Sequence, residues 1–166
     1  MASLWNRIVR ALELFTIGLF ALLVVNVLWG VVSRYVPGIR PSDFTEELAV
    51  HLLVWVSLFG AALTYREYGH LGVDYFVAKL DPAAQRVVAV VIELAVLLFA
   101  GFALGHGGWR LVADTLAANQ LTPVLQWKIG YLYAAVPLSG ACFCAFALEH
   151  LLKLEPAGAH TPVKDV

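Results

Sequence analysis

Four apolar runs, at residues 11–33, 48–65, 87–105 and 131–152, take up about half of this 166-residue chain. A bilayer's hydrocarbon core, about 30 Å thick, is crossed by roughly 20 helical residues at about 1.5 Å each. Each run meets or approaches that length. In lipid a backbone must satisfy its own polar groups, so runs of this kind fold as helices. The expected class is therefore an all-α integral membrane protein. It has four transmembrane helices, short interfacial amphipathic helices and a polar tail, residues 156–166, that is expected to be flexible.

Composition agrees with that solvent. Hydrophobic residues make up 61% of the chain and charged ones 14%, where soluble proteins average about a quarter charged. The mean hydropathy is +0.79. A net charge of −1 supplies no basic field for nucleic acid. Outside the four runs no stretch is long enough for a separate soluble domain, so any function must use the helices, their connections or a partner. Arg7 and Arg10 ahead of an apolar run resemble a secretory leader. That run continues for more than 20 residues, longer than the roughly 7–15 of a leader's apolar region, and predicts a retained span.

Four spans place both ends of the chain on one side of the membrane. That side would carry Arg7, Arg10, Arg66, Lys79, Arg86, Lys153 and Lys164, against Arg34, Arg40, Arg110 and Lys128 on the other. Positively charged loops stay in the cytoplasm, which predicts cytoplasmic termini. Trp5, Ile8, Val9, Leu12 and Phe15 recur at helical spacing and predict an interfacial lead-in. Val73, Phe76, Val77 and Leu80 predict an in-plane helix over residues 72–80. Asp81-Pro82 supplies an N-cap and a first-turn proline for the third span. Pro41-Ser42-Asp43 caps the second, whose Glu46 and Glu47 sit at the positive end of its dipole. Trp109, Val112 and Leu116 could extend the third span beyond the bilayer, and Thr122-Pro123 should break the chain before the fourth.

Polar groups at membrane depth are expensive. Asn26 suits an interhelical hydrogen bond. Glu93 fits either a proton- or cation-coupling site, or a carboxyl that hydrogen-bonds a neighbouring helix or pairs with a basic residue such as Arg86 or Arg66. Glu47, His51 and Trp55 recur every four residues as one stripe: a docking face for a partner helix, or three separately explicable residues. Gly101 and Gly105, Ser57 and Ala61, and Gly140 and Cys144 form small-residue pairs suited to close helix approach. Cys142 and Cys144 point to nearly opposite sides of one helix and read as packing residues. His51 with His106, and His70 with His150, would approach opposite surfaces in a pattern that membrane b-type cytochromes share. However, His70 lies in a polar loop and the other sites would shelter haem poorly.

No phosphate-binding loop, nucleophile elbow or metal-ligand spacing occurs, so neither a catalytic residue, a metal nor a cofactor is expected. Paired interrupted helices around a midplane site are also missing. Pro137 in the fourth span has no counterpart in another. The chain reads as part of a larger assembly. A stand-alone oligomeric exporter using Glu93, or a redox anchor, remains the alternative.

One stretch carries a family resemblance. It runs from Ser33-Arg34-Tyr35-Val36 through Phe44-Thr45-Glu46-Glu47-Leu48-Ala49 and Val54-Trp55-Val56-Ser57-Leu58-Phe59-Gly60-Ala61-Ala62 to Arg66-Glu67-Tyr68-Gly69-His70-Leu71-Gly72-Val73-Asp74. With Trp127-Lys128-Ile129-Gly130-Tyr131 and Pro137-Leu138-Ser139-Gly140, it resembles the small membrane subunit of tripartite ATP-independent periplasmic (TRAP) transporters. Phe44, where that family often has tryptophan, and the turn at residues 37–41 depart from the pattern. The resemblance implies a bacterial inner-membrane complex driven by a sodium gradient. In it a large elevator-type permease subunit moves organic acids delivered by a periplasmic solute-binding protein. The small subunit braces the stationary scaffold among membrane lipids. It also implies that Arg34, Glu47, Trp55, Gly60, Arg66, His70 and Asp74 serve subunit contact, interface anchoring and helix placement, while Pro137 and Gly140 shape the fourth span.

Overall fold

The computed structural model describes residues 2–36, 42–68 and 81–153. Helix α1 spans Ala2–Tyr35 and α2 Phe44–Tyr68. Helix α3 spans Pro82–Phe99 and continues without a break through π-helical turns at Ala100–Gly107 into α4, Gly108–Ala117. A short α5, Ile129–Tyr133, precedes α6, Ala135–Lys153. Among the described residues, four helical segments are long and apolar enough to cross a membrane: Trp5–Tyr35, Phe44–Glu67, Ala84–Ala117 and Ile129–Leu152.

All four exceed the apolar runs read from sequence, because a helix stops at a breaker and not where hydropathy falls. Nothing between Ala2 and Tyr35 interrupts the backbone ladder. The stretch around Trp5 is therefore continuous with the first span. The 34 residues of α1 extend about 50 Å, well past a hydrocarbon core of about 30 Å. The in-plane helix expected at residues 72–80, the turn at 37–41 and the tail at 156–166 lie outside the described residues. Asp81 has the extended backbone of an N-cap and Pro82 opens α3, but the Asp81 side chain makes no capping hydrogen bond.

The fourth span divides at Ala134. Pro137 has no N–H to give Tyr133, so α5 ends there and α6 restarts with Pro137 in its first turn, where a missing donor costs nothing. Helix α4 ends in a Schellman motif: Asn119 takes φ 48°, its N–H meets the Leu116 carbonyl, and the Gln120 N–H meets that of Thr115. Asparagine tolerates that left-handed conformation better than most residues.

Extensive helix contacts join α1 to α2, α2 to α6, and α6 to α3 and the π turns. Among the described residues the longest seams run first to second, second to fourth and fourth to third, and side chains also join the first span to the fourth and the second to the third. Val9, Ala62 and Phe146, from the first, second and fourth spans, form the buried centre at the end where residues 2 and 153 lie. Phe15 packs edge-on against Trp55 and Phe59 further along. Beyond these seams the helices present apolar side chains outward, including Leu14, Ile17 and Val25 on α1 and Val87, Leu98 and Phe102 along the third span.

The third and fourth spans meet most closely. A Cβ on Gly140 would fall 2.8 Å from Leu104 Cβ and 3.0 Å from the Gly105 nitrogen, and one on Gly108 would fall 3.0 Å from Pro137 Cδ. One on Gly101 would rest 3.9 Å from Cys144 Sγ. Gly101–Cys144, Gly105–Gly140 and Gly108–Pro137 are therefore successive antiparallel rungs. The π turns keep this seam straight. Residues Ala100, Leu104 and Gly108 face α6 at four-residue steps, which an α-helix would rotate away by about 80° over two steps. The wider i→i+5 turn absorbs much of that drift.

Candidate functional site

Polar side chains gather at the two ends of the spans, and each group ties one span to another. At the end where the first span leaves the membrane, Asn26 Nδ2 donates to the Thr45 carbonyl at 2.8 Å, a buried bond between the first two spans. Ser33 Oγ accepts from the Ser42 N–H at 3.2 Å, and Thr45 Oγ1 donates back to the Ser42 carbonyl. Gly30 gives room for this: a Cβ there would meet Thr45 Oγ1 at 2.9 Å. Arg34 pairs with the exposed Glu46. Its neighbour Glu47 points elsewhere along α2.

Glu47 reaches across to the connection before the fourth span. Its Oε2 accepts the N–H groups of Val124 at 2.8 Å and Leu125 at 3.2 Å. That connection is a small ordered hairpin. Leu121 bridges to Lys128, the Thr122 N–H meets the Trp127 carbonyl, and the Trp127 N–H meets Thr122 Oγ1. Gln126 adopts φ 53°, and its side-chain amide donates to the carbonyls of Thr122 and Pro123. His51 Nδ1 donates to the Glu47 carbonyl at 2.6 Å, and its ring meets Trp127 edge-on. The stripe Glu47, His51, Trp55 thus turns toward this chain's own hairpin and first span. With Phe15, Leu48 and Tyr131, the His51, Trp55 and Trp127 side chains line a groove of about 300 Å³.

Because Glu47 holds two backbone amides with charge-assisted bonds, its removal should loosen the hairpin selectively. In Glu47→Ala the amides of Val124 and Leu125 should exchange with solvent about tenfold faster or more, while those of α3 keep their rates. Hydrogen exchange read by mass spectrometry checks this; equal exchange in both proteins would remove the clamp from the account.

At the opposite end a second network joins all four spans. Glu93, 4% exposed, accepts the Tyr65 hydroxyl and faces His150 Nδ1 at 3.1 Å. His150 Nε2 contacts the Arg66 carbonyl at 3.1 Å. The Arg66 side chain turns away from Glu93: its Nε donates to Glu149 Oε2 at 3.2 Å, and its guanidinium lies 5.8 Å from the Phe146 ring centre. Trp5 Nε1 donates to the same Glu149 oxygen at 2.9 Å. Of the alternatives for Glu93, the structure shows the hydrogen bond to neighbouring helices, through Tyr65 and His150, while Arg66 bonds Glu149 instead. Glu149 escaped the sequence reading, although an acid beside His150 in an apolar span was the signal.

The remaining candidates are placed as follows. A Cβ on Gly60 would meet nothing within 4 Å, and Ser57 and Ala61 are exposed on the same helix. Among the described residues nothing packs closely on this small-residue face of α2. Both ring nitrogens of His150 are committed, and His106 stacks on Phe102. His70 and Asp74 lie outside the described residues. Among the described residues no three His, Cys, Asp or Glu side chains gather as a metal site.

Against known proteins, the profile of the DctQ component of tripartite ATP-independent periplasmic transporters matches residues 23–156. A putative TRAP transporter small permease protein of Haemophilus influenzae is 29% identical over 153 residues, 92% of each chain. The C4-dicarboxylate TRAP transporter small permease protein DctQ of Rhodobacter capsulatus is 29% identical over 101 residues, 61% of this chain and 44% of its own length. The sialic acid TRAP transporter small permease protein SiaQ of Vibrio cholerae is 30% identical over 89 residues, 54% of this chain and 51% of its own. With four membrane-crossing helices and a match over most of its length, the chain belongs to the DctQ family of TRAP transporter small permease components, which are transport proteins and not enzymes.

Proposed function

We propose that this chain is the stationary brace of a sodium-coupled TRAP transporter in a bacterial inner membrane, with both termini cytoplasmic. A large elevator-type permease subunit would carry the substrate, an organic acid delivered by a periplasmic binding protein. The observation that carries the reading is how the chain uses its buried polar groups. Asn26, Ser33, Thr115, Ser139 and Glu93 all bond to this chain's own backbone or side chains. A conduit needs polar groups facing a shared path; a brace needs them between its own helices, with apolar surface outside.

The face around Ser57, Gly60 and Ala61 suits close approach by a helix of the large subunit. Arg7, Arg10, Arg66 and Arg86 at the end shared by residues 2 and 153 support cytoplasmic termini. C4-dicarboxylate and sialic acid, in the names of two relatives, support an organic acid as the substrate class.

Reconstitution tests the assignment. The purified chain alone in liposomes should give no sodium-driven uptake of C4-dicarboxylates or sialic acid in the presence of a binding protein. Uptake should require the large subunit too. Uptake by this chain without the large subunit would overturn the proposal.

A further inference from the structure

Between α1 and α2, at the end opposite residues 2 and 153, lies a groove of about 290 Å³. Val27, Val31 and Ala49 form its wall, and Arg34 and Glu46 form its rim. The two charged side chains pair with one another and stay accessible, at 51% and 71% exposed. Gly30 closes the floor, since even a Cβ there would meet Thr45 Oγ1 at 2.9 Å. The depth of the rim follows from α1. Residues 14–33 carry no charge, and these 20 residues rise about 30 Å, the thickness of a bilayer's hydrocarbon core. Glu13 and Arg34 thus fall at opposite headgroup layers. The apolar wall runs from the Arg34 layer down into the hydrocarbon.

We propose that this groove seats one zwitterionic membrane phospholipid, of the phosphatidylethanolamine kind. Its phosphate lies on the Arg34 guanidinium, its ammonium on the Glu46 carboxylate, and the upper part of an acyl chain along Val27, Val31 and Ala49. Charge complementarity selects this occupant. A planar guanidinium offers a fork of donors that suits phosphate oxygens, and a carboxylate suits an ammonium. An anionic lipid would satisfy Arg34 but leave Glu46 facing a second negative charge with no cation between them. Because an exposed ion pair contributes little, Arg34 and Glu46 part at small cost, and each finds an opposite charge on the headgroup. A helix of another subunit seated here would take both charges out of water, with a heavy desolvation penalty. A headgroup meets them where water remains. The site is built from two helices of this chain and needs no other subunit.

Native mass spectrometry of the full chain in mild detergent tests the site, with phosphatidylethanolamine and phosphatidylglycerol of matched acyl chains as probes. One phosphatidylethanolamine should be retained at about tenfold lower lipid concentration than phosphatidylglycerol. Arg34→Gln should weaken that adduct by about tenfold or more. Glu46→Gln should erase the preference, because the charge that disfavours phosphatidylglycerol is gone and the ammonium has lost its partner. Arg110→Gln, at an exposed arginine of the same end, should change neither. All three positions are exposed, so each variant should keep the native melting profile, and the comparison of the two lipids on the native chain needs no variant. Equal retention of both lipids by the native chain would overturn the site. So would undiminished binding in Arg34→Gln, or an equal loss in Arg110→Gln. Release of the lipid on adding the large subunit would also overturn it, giving the groove to a helix of that subunit.

Discussion

Gly140→Val should unfold the seam between the third and fourth spans, with a loss of about 3 kcal/mol or more. The reason is what the new atoms would strike. Even a single Cβ at 140 would lie 2.8 Å from Leu104 Cβ, 3.0 Å from the Gly105 nitrogen and 3.1 Å from the Ala100 carbonyl oxygen. Two of those three are backbone atoms of the π turns, which cannot rotate aside as a side-chain tip can. The branched side chain adds two further methyl groups to the same wall. On one side the seam has no slack either, because the adjacent rung, Gly108 against Pro137, is nearly as close. Thermal unfolding in mild detergent, with size-exclusion to follow monodispersity, measures the effect. Gly60→Ala is the control: its methyl enters open space and replaces glycine by a better helix former, so it should be neutral or stabilising by up to about 1 kcal/mol. A native-like melting profile for Gly140→Val would mean that the two spans do not touch along this line.

The four spans were legible because lipid allows one solution for an apolar run: it must close its own hydrogen bonds. Pairwise geometry was less legible. The small-residue pairs could be recognised on each helix, but their partners could not, since spacing within a helix says nothing of the neighbour's register. Thus Gly101 and Gly105 sit in the seam with Gly140 and Cys144, while Ser57 and Ala61 with the same spacing face outward. The π turns were hidden for a related reason. The run from Ala100 to Gly108 contains four glycines, which state a preference for no particular turn; contact with α6 selects the wider one. Glu47 illustrates the same gap. Its place in the first turn of α2 explains it locally, and nothing near it in sequence names a hairpin some 77 residues onward. For Glu93 the sequence offers Arg66 and Arg86 as countercharges, but spacing along one helix does not say that Arg66 turns to Glu149 while Tyr65 and His150 meet Glu93.

The two polar networks divide the labour of holding the spans together. Each seam must resist sliding as well as separation, and apolar contacts in lipid are poorly suited to that because the tails compete for the same surfaces. Directional bonds fix register where packing does not. Asn26 and Ser33 set the first span against the second near one surface. Glu93 and His150 set the third against the second and fourth near the other, and Glu47 secures the hairpin through which the third span passes into the fourth.

Glu149→Ala should produce the second large loss, because Glu149 joins three spans through one oxygen. Its Oε2 accepts Trp5 Nε1 from the first span and Arg66 Nε from the second, while its own backbone lies in the fourth. Its side chain is 12% exposed and that of Arg66 is 22% exposed. Breaking a fully buried ion pair costs about 3–5 kcal/mol, most of it the penalty of the abandoned charge. Arg66 keeps some access to water and headgroups, and the Phe146 face remains beneath its guanidinium, so the expected cost falls to about 2 kcal/mol. Trp5→Phe removes only the indole donor and leaves the edge contact with Phe146, for about 1 kcal/mol. The two changes share one bond, so together they should cost less than the sum of their separate effects. Calorimetry or denaturant unfolding of the four proteins in the same detergent gives the cycle. Strict additivity would show that the first span is held by its apolar stripe alone, and that the acid on the fourth span serves only Arg66.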